Sequence, residues 1–345
     1  MAASPFFIEI MKTNSCSKVL VVGLGSIGQR HARLCRERRE LSVEICDNRA
    51  ESLETARRNL GDVVCWSDLH EALAQAPDIV IVATPHDQHE RVAVQALEAG
   101  AHVLCEKPMA HGIDSARRMY EAHGLGSRIL RIAFMLRFHP GVRRLRDWLR
   151  EGALGTPAFA RYAVGSYITL ENSISRYQQK TFGAAVMDYA HGIDLIGWLI
   201  EQPPCGAYAR GVQAGNVEFT SSPNVLSVIL EYEGAFQSEL HIDYLTKPQA
   251  NTLEIIGDAA AASLDFGSGS LILRRRNAND LLEETVSPER DDIYRTQLAG
   301  FLDAVDGRPD ELATPLEGLQ SVACADVIIR SLTSGQREPV TNFKP

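Results

Sequence analysis

The chain has 345 residues, 45% of them hydrophobic and 23% charged, with a net charge of −9. That is the balance of a soluble globular protein with a substantial core, and two domains are expected at this length. The acidic surplus carries no phosphate-backbone footprint, so no nucleic-acid partner is expected. The cysteines (Cys16, Cys35, Cys46, Cys65, Cys105, Cys205 and Cys324) are odd in number and form no C-x-x-C pair. Their spacing fits neither a disulfide framework nor a zinc site, and reduced thiols in a cytoplasmic protein are the expectation. The sequence has no apolar run long enough for a membrane span, and its start lacks the basic region of a signal peptide. Residues 1–17 read as an extension outside the fold, with Met11 as an alternative start.

In chain order, Lys18–Val22, Val43–Cys46, Ile79–Ala83, His102–Cys105 and Ile129–Phe134 read as buried strands rich in Val and Ile. Between them lie helix candidates at Ile27–Arg38, Ala50–Asn59 and Glu90–Ala99. Alternation of this kind predicts an α/β domain with a doubly wound parallel sheet over residues 18–137. Beyond it, residues 138–345 read as a second, α+β domain. A helix at Val142–Glu151 precedes a strand at Ala158–Val164 and a loop, and one helix is expected over Ala184–Ile200. Six runs then read as a meander: Ala207–Val212, Val225–Tyr232, Phe236–Tyr244, Thr252–Ile256, Ala262–Phe266 and Leu271–Arg275. Two helices close the chain. Ser287-Pro288 can start the first, and Thr314-Pro315-Leu316-Glu317 offers the second a capping box.

The stretch K-V-L-V-V-G-L-G-S-I-G, Lys18 to Gly28, sets a G-x-G-x-x-G between a predicted strand and a predicted helix. Gly23 allows the tight turn, Gly25 lets the backbone approach a pyrophosphate, and Gly28 permits close helix–strand packing. Ser26 and Ile27 open the helix, whose N-terminus faces the negative charge. Asp47, followed by Asn48, ends the second predicted strand, close to the spacing of roughly 20 residues that the fingerprint requires. A carboxylate there accepts ribose hydroxyls and repels a 2′-phosphate, which favours NAD. Arg49 leaves NADP open.

Two further strands deliver polar residues at their carboxyl ends, where ligand crevices form in parallel sheets. One run holds Thr84, Pro85, His86 and His89; the other holds Glu106, Lys107 and Pro108. Beside an oxidised nicotinamide Lys107 is expected to serve as a proton acceptor; a lysine simply paired with Glu106 is the alternative. In M-D-Y-A-H-G-I-D, helical spacing puts Asp188, His191 and Asp194 on one face, so Asp188 can orient His191 as an acid/base pair. A structural polar stripe remains open. No further His or Cys stands nearby, so no metal is expected. Arg176, Tyr177 and Lys180, in the loop before that helix, are candidate substrate contacts or a solvated loop, and Lys180 suits a phosphate or carboxylate.

T-P-x-x-x-H at Thr84–His89, E-K-P at Glu106–Pro108, L-R-F-H-P at Leu136–Pro140 and D-Y-A-H-G-I-D at Asp188–Asp194 follow the fingerprint in order. Together they resemble the glucose–fructose oxidoreductase, inositol dehydrogenase and rhizopine-catabolism family, Gfo/Idh/MocA, over nearly the whole chain from Lys18. The resemblance implies a Rossmann domain followed by an α+β domain with a large, mainly antiparallel open sheet that pairs subunits into dimers or tetramers. It implies hydride transfer between NAD or NADP and one carbinol of a sugar, amino sugar, nucleotide sugar or polyol. It places Lys107 beside the nicotinamide and the reacting hydroxyl, and makes His191 the catalytic acid/base. Thr84, Pro85 and His89 fall in the cofactor crevice, Glu106 and Pro108 shape the turn, and Arg137 lies near the nicotinamide or substrate. The three-residue step from Asp188 to His191 resembles a subgroup reading D-x-S-H-E-x-D, associated with amino or activated sugars. Here Ala190 and Gly192 replace the subgroup's Ser and Glu. Two other functions use the same residues differently: a closed redox cycle on tightly held NAD that eliminates or cleaves a sugar, and a non-catalytic cofactor sensor.

Overall fold

The computed structural model describes residues 16–173, 176–277 and 281–343. The predicted extension lies outside these residues, apart from Cys16 and Ser17, as does Met11. In the first half, β1 (Ser17–Val22), β2 (Leu41–Cys46), β3 (Val64–Trp66), β4 (Ile79–Val82), β5 (His102–Glu106) and β6 (Leu130–Ala133) form a sheet in the order β3-β2-β1-β4-β5-β6. Every pairing in it is parallel. The residues of β4 are all buried, which is why this strand reads as a continuous apolar run. Strand order reverses between β1 and β4, and the loops leaving these two strands lie side by side. The three-residue β3 and the helix Ile113–Gly124 escaped the sequence reading.

A short 3₁₀ turn, Met135–Phe138, carries the chain into the second half, and His139 Nδ1 caps the following helix Pro140–Arg150 by accepting from Gly141 N at 3.1 Å. Among the described residues nine further strands follow: β7 (Pro157–Gly165), β8 (Gly206–Val212), β9 (Val225–Glu231), β10 (Gln237–Asp243), β11 (Ala250–Gly257), β12 (Ala260–Asp265), β13 (Ser270–Arg275), β14 (Leu281–Thr285) and β15 (Glu338–Pro339). They make one sheet, ordered β14-β13-β12-β11-β7-β10-β9-β8-β15, antiparallel except where β7 meets β10. The predicted meander runs correspond to β8 through β13. Tyr162, Leu240 and Leu253 pair across β7, β10 and β11 and point into a core shared with Ile193 and Ile196. The opposite face carries Arg161 between Glu239 and Glu254, together with exposed Tyr208, Ile229 and Ile256.

The chain then returns to the first sheet. Helix Arg290–Val305 packs Ile293, Leu298 and Phe301 among Val19, Val21 and Phe138. Its Asp291 pairs with Arg30 at 2.9 Å and Arg33 at 2.5 Å. Helix Pro315–Ser334 has the predicted capping box, with Thr314 Oγ1 accepting from Glu317 N at 3.3 Å and Thr314 N donating to Glu317 Oε2 at 2.8 Å. Its Leu319 and Val322 cover Ile132 and Phe134. Both helices follow residue 138 in sequence, yet they complete the core of the first sheet.

A buried ion-pair cluster locks this junction. Arg137 donates to Asp194 through Nε at 3.0 Å and Nη2 at 2.6 Å, and to Glu317 Oε1 through Nη2 at 3.0 Å. The side chains of Arg137 and Asp194 are 3% and 2% exposed. Removing one partner of such a pair leaves a buried charge unbalanced. Asp194→Ala is therefore expected to lower unfolding free energy by about 3 kcal/mol, measured by urea denaturation, with Asp194→Asn losing less.

Candidate active site

The glycine turn forms as its spacing requires. Gly23 has φ of +90°, and a Cβ there would lie 2.6 Å from the carbonyl oxygen of Ala83. A Cβ on Gly28 would come within 1.8 Å of Gly23 O. These two glycines are fixed by the protein's own packing. Gly25 differs, because a Cβ there meets nothing within 4 Å. The space above Gly25 faces the start of helix Ser26–Arg36, whose first intrahelical acceptor, Gly25 O, is taken by Gln29 N at 3.0 Å. The amides of the first turn are thus free to meet an anion. Exposed Ser26 and half-buried Ile27 belong to that turn.

Asp47 stands at the end of β2 and is 7% exposed. Its Oδ2 accepts from Leu24 N at 2.8 Å, which fastens it to the glycine turn, and its Oδ1 accepts from Arg49 N at 2.9 Å. Arg49 Nε also points back to Asp47 at 3.4 Å, with the rest of that side chain in solvent. Asn48 is exposed beside them. Across the crevice, Thr84 Oγ1 is buried and has no hydrogen-bond partner. An open glycine cradle, free helix amides, a ribose-facing carboxylate and an orphaned hydroxyl suit a dinucleotide.

His89 serves a different purpose from the one expected. Its two ring nitrogens face Pro108 O and Thr84 O, both at 2.9 Å, so it braces the two crevice loops against each other from within. Burial lowers its pKa. Pro85 is exposed at the crevice rim. His86 is also pushed down, by burial and then by His89, and its ring meets Tyr177 edge-on at 5.2 Å. Glu106 binds His31 Nε2 at 2.8 Å and sits 3.3 Å from Lys107 N; it does not pair with the Lys107 ammonium. Instead Lys107 Nζ donates to the main-chain oxygen of Asp188 at 2.7 Å.

The expected continuous helix over Ala184–Ile200 is broken. One helix ends at Asp188 and another begins at His191, with Tyr189 and Ala190 between them. Among the described residues no hydrogen bond joins the Asp188 carboxylate to His191, which corrects the expected acid/base pair. Asp188 instead accepts from the hydroxyls of Tyr177 and Tyr244 and from Gln178 Nε2 at 3.1 Å. His191 packs edge-on against Phe134 at 5.8 Å, and its Nδ1 is buried without a partner. Burial, then the Lys107 charge and Arg290, hold the imidazole well below the usual histidine range and keep it neutral. A neutral imidazole beside an anchored ammonium can take or return a proton.

The remaining candidates divide. Tyr177 reaches the centre through Asp188. Arg137 does not, because its guanidinium is consumed by Asp194 and Glu317 in the buried cluster, which corrects its expected place at the nicotinamide or substrate. Arg176 donates to Leu170 O and stacks over Phe219 at 3.7 Å. It is occupied by its own loop. Lys180 is exposed. Tyr244, Gln178 and Arg290 went unread because they sit just past a strand end, in the four-residue helix Tyr177–Lys180 and at a helix start, far apart in sequence. Among the described residues, no cluster of His, Cys, Asp or Glu could hold a metal ion, and no helix is long and apolar enough to cross a membrane.

A Rossmann sheet, a dinucleotide cradle and a lysine–histidine pair at its mouth define a nucleotide-dependent oxidoreductase. Residues 17–134 match an oxidoreductase family with an NAD-binding Rossmann fold, and residues 142–263 match the Gfo/Idh/MocA C-terminal domain. The chain belongs to this Gfo/Idh/MocA family and is an NAD-binding enzyme. It is 27% identical to the 1,5-anhydro-D-fructose reductase of Ensifer adhaerens, over 77% of this chain and 81% of that one. It is 25% identical to the inositol 2-dehydrogenase/D-chiro-inositol 3-dehydrogenase of Shouchella clausii (strain KSM-K16), over 94% of each chain. A solved levoglucosan dehydrogenase, in complex with NADH and levoglucosan, superposes with a TM-score of 0.83 at 18% identity, covering 95% of this chain and all of that one.

Two outcomes test this geometry. Gly25→Ala is expected to keep the wild-type melting temperature while weakening NADH binding about tenfold or more, whereas Gly28→Ala should destabilise the fold itself. In ¹⁵N-resolved titrations, Lys107→Met should raise the His191 pKa toward its ordinary value, because the variant removes a cation that disfavours protonation. An unchanged titration would place the two groups too far apart to cooperate.

Proposed function

We propose that this protein transfers hydride between NAD and a secondary alcohol of a sugar, amino sugar, nucleotide sugar or polyol. The observation that supports the reading is Lys107, at the carboxyl end of β5, donating to Asp188 O while its charge acts on His191. The names of its relatives support the substrate class. When bound, NAD supplies the ring that accepts or returns the hydride. His191 Nε2, the ring nitrogen left accessible, takes the hydroxyl proton in oxidation and gives it back in reduction. Lys107 spends one N–H on Asp188 O and keeps two for the carbinol oxygen. Tyr177, Gln178 and Tyr244 fix Asp188, and through it the lysine, before substrate arrives. Lys180 remains a candidate contact for a phosphate or carboxylate on the substrate. Asp47 favours NAD over NADP, and the pairing of Arg49 with Asp47 supports the same preference. The outward face of the second sheet, with Tyr208, Ile229 and Ile256 exposed, supports assembly with a second copy into a homodimer or homotetramer.

Initial rates of NADH formation across sugars, amino sugars, sugar phosphates, nucleotide sugars and polyols test the reading. Lys107→Ala and His191→Ala should each cut kcat/KM by about 10² to 10⁴ with NADH still bound, and NADP should be the poorer cofactor. Turnover that survives both substitutions unchanged would remove these residues from the chemistry.

A further inference from the structure

A cavity of about 500 Å³ lies against helix His191–Ile200, and neither Lys107 nor His191 lines it. Its walls come from helix Pro140–Arg150, one side of helix His191–Ile200 with the segment that follows it, the loop before Thr314 and the first turns of helix Pro315–Ser334. The volume falls within the range of small-molecule sites, roughly 300–1,000 Å³. Nothing in the hydride-transfer chemistry uses it.

Most of the carboxylates around it are already engaged. Asp194 and Glu317 hold Arg137, Asp310 binds Arg131 at 2.9 Å, and Glu311 is divided between Arg143 and Arg146, each at 2.8 Å. The donors are not used up in the same way. Arg146 stacks over Trp198 at 3.7 Å, and its Nε is buried with no partner. Its Nη2 finds only Glu201 at 3.8 Å. Arg150 is 54% exposed at the mouth and reaches the same Glu201 at 3.5 Å, while Glu201 itself is 64% exposed. Deeper in, Ser321 is 5% exposed and its hydroxyl has no partner. The unmet hydrogen-bonding capacity of this cavity therefore lies with arginine N–H groups and a hydroxyl, which is what an oxyanion requires. Burial and the neighbouring Arg150 make protonation of Arg146 less favourable, as expected where positive charge lacks a full complement of anions.

We propose that this cavity is a second ligand site, distinct from the dinucleotide crevice, that takes a small organic anion through a carboxylate or phosphate group. The anion displaces Glu201 at the mouth, accepts hydrogen bonds from Arg146 and Arg150, and extends toward Ser321.

The test is titration calorimetry with inorganic phosphate and, separately, citrate, on full-length protein saturated with NADH so that the crevice is filled. Saturable binding of either probe is expected, and the stronger of the two identifies the group preferred. Arg150→Gln and Ser321→Ala are suitable variants, because Arg150 is at the surface and the serine change is small. Each should weaken anion binding about fivefold or more while NADH affinity stays at the wild-type value. Absence of saturable binding by both probes, or equal affinity in wild type and both variants, would overturn the proposal. Neither outcome bears on the roles of Lys107 and His191, which turnover reports separately.

Discussion

One hydrogen bond joins the two halves of the catalytic crevice: Lys107 Nζ, at the end of a strand in the parallel sheet, donates to the main-chain oxygen of Asp188 beneath the second sheet. The donor comes from a loop braced by His89, and the acceptor from a helix end braced by three side chains. A carbonyl holds the ammonium without neutralising it, and burial, followed by that nearby charge, keeps the His191 imidazole unprotonated. The break at Tyr189–Ala190 is compatible with the same contact. An unbroken helix would commit the Asp188 carbonyl to its own hydrogen-bond ladder, leaving it a poorer anchor for the lysine.

The division of labour among the glycines makes a related point. Gly23 and Gly28 are required by contacts the protein makes with itself, whereas no contact within the protein requires a glycine at Gly25, where the fingerprint calls for close approach of a pyrophosphate. The fingerprint therefore combines two unrelated constraints, one on folding and one on binding, in six residues. That combination is why it is informative when a strand precedes it and a helix follows, and weak when it stands alone.

Much of the fold was legible in the sequence because burial on both faces writes parallel strands as apolar runs, as in Ile79–Val82, and because Thr314–Glu317 spells a capping box. The three-residue β3 was too short to leave a pattern, and the edge strand β14, L-L-E-E-T, alternates too weakly. In the candidate site, Gly23, Asp47, Lys107 and His191 could be proposed from the sequence because a local motif carries each. Asp188 was found, but its partner was misassigned, since helical spacing assumes a helix that does not stop. Arg137 was drawn toward the crevice by its motif, although its partners Asp194 and Glu317 lie far along the chain. Contacts such as Tyr244 to Asp188 depend on tertiary closure and leave no local trace.

The return of the last two helices to the first sheet has a consequence for how the molecule comes into being. Ile293, Leu298, Phe301 and Leu312 sit in the same core as Val19 and Val21, and Ile132 N donates to Ala313 O at 2.9 Å. A nascent chain that has emerged only as far as residue 138 thus holds every strand of its dinucleotide sheet but not the helices that seal it. Its apolar flank stays open through synthesis of the entire second sheet. The domain that begins the chain is the last to be finished.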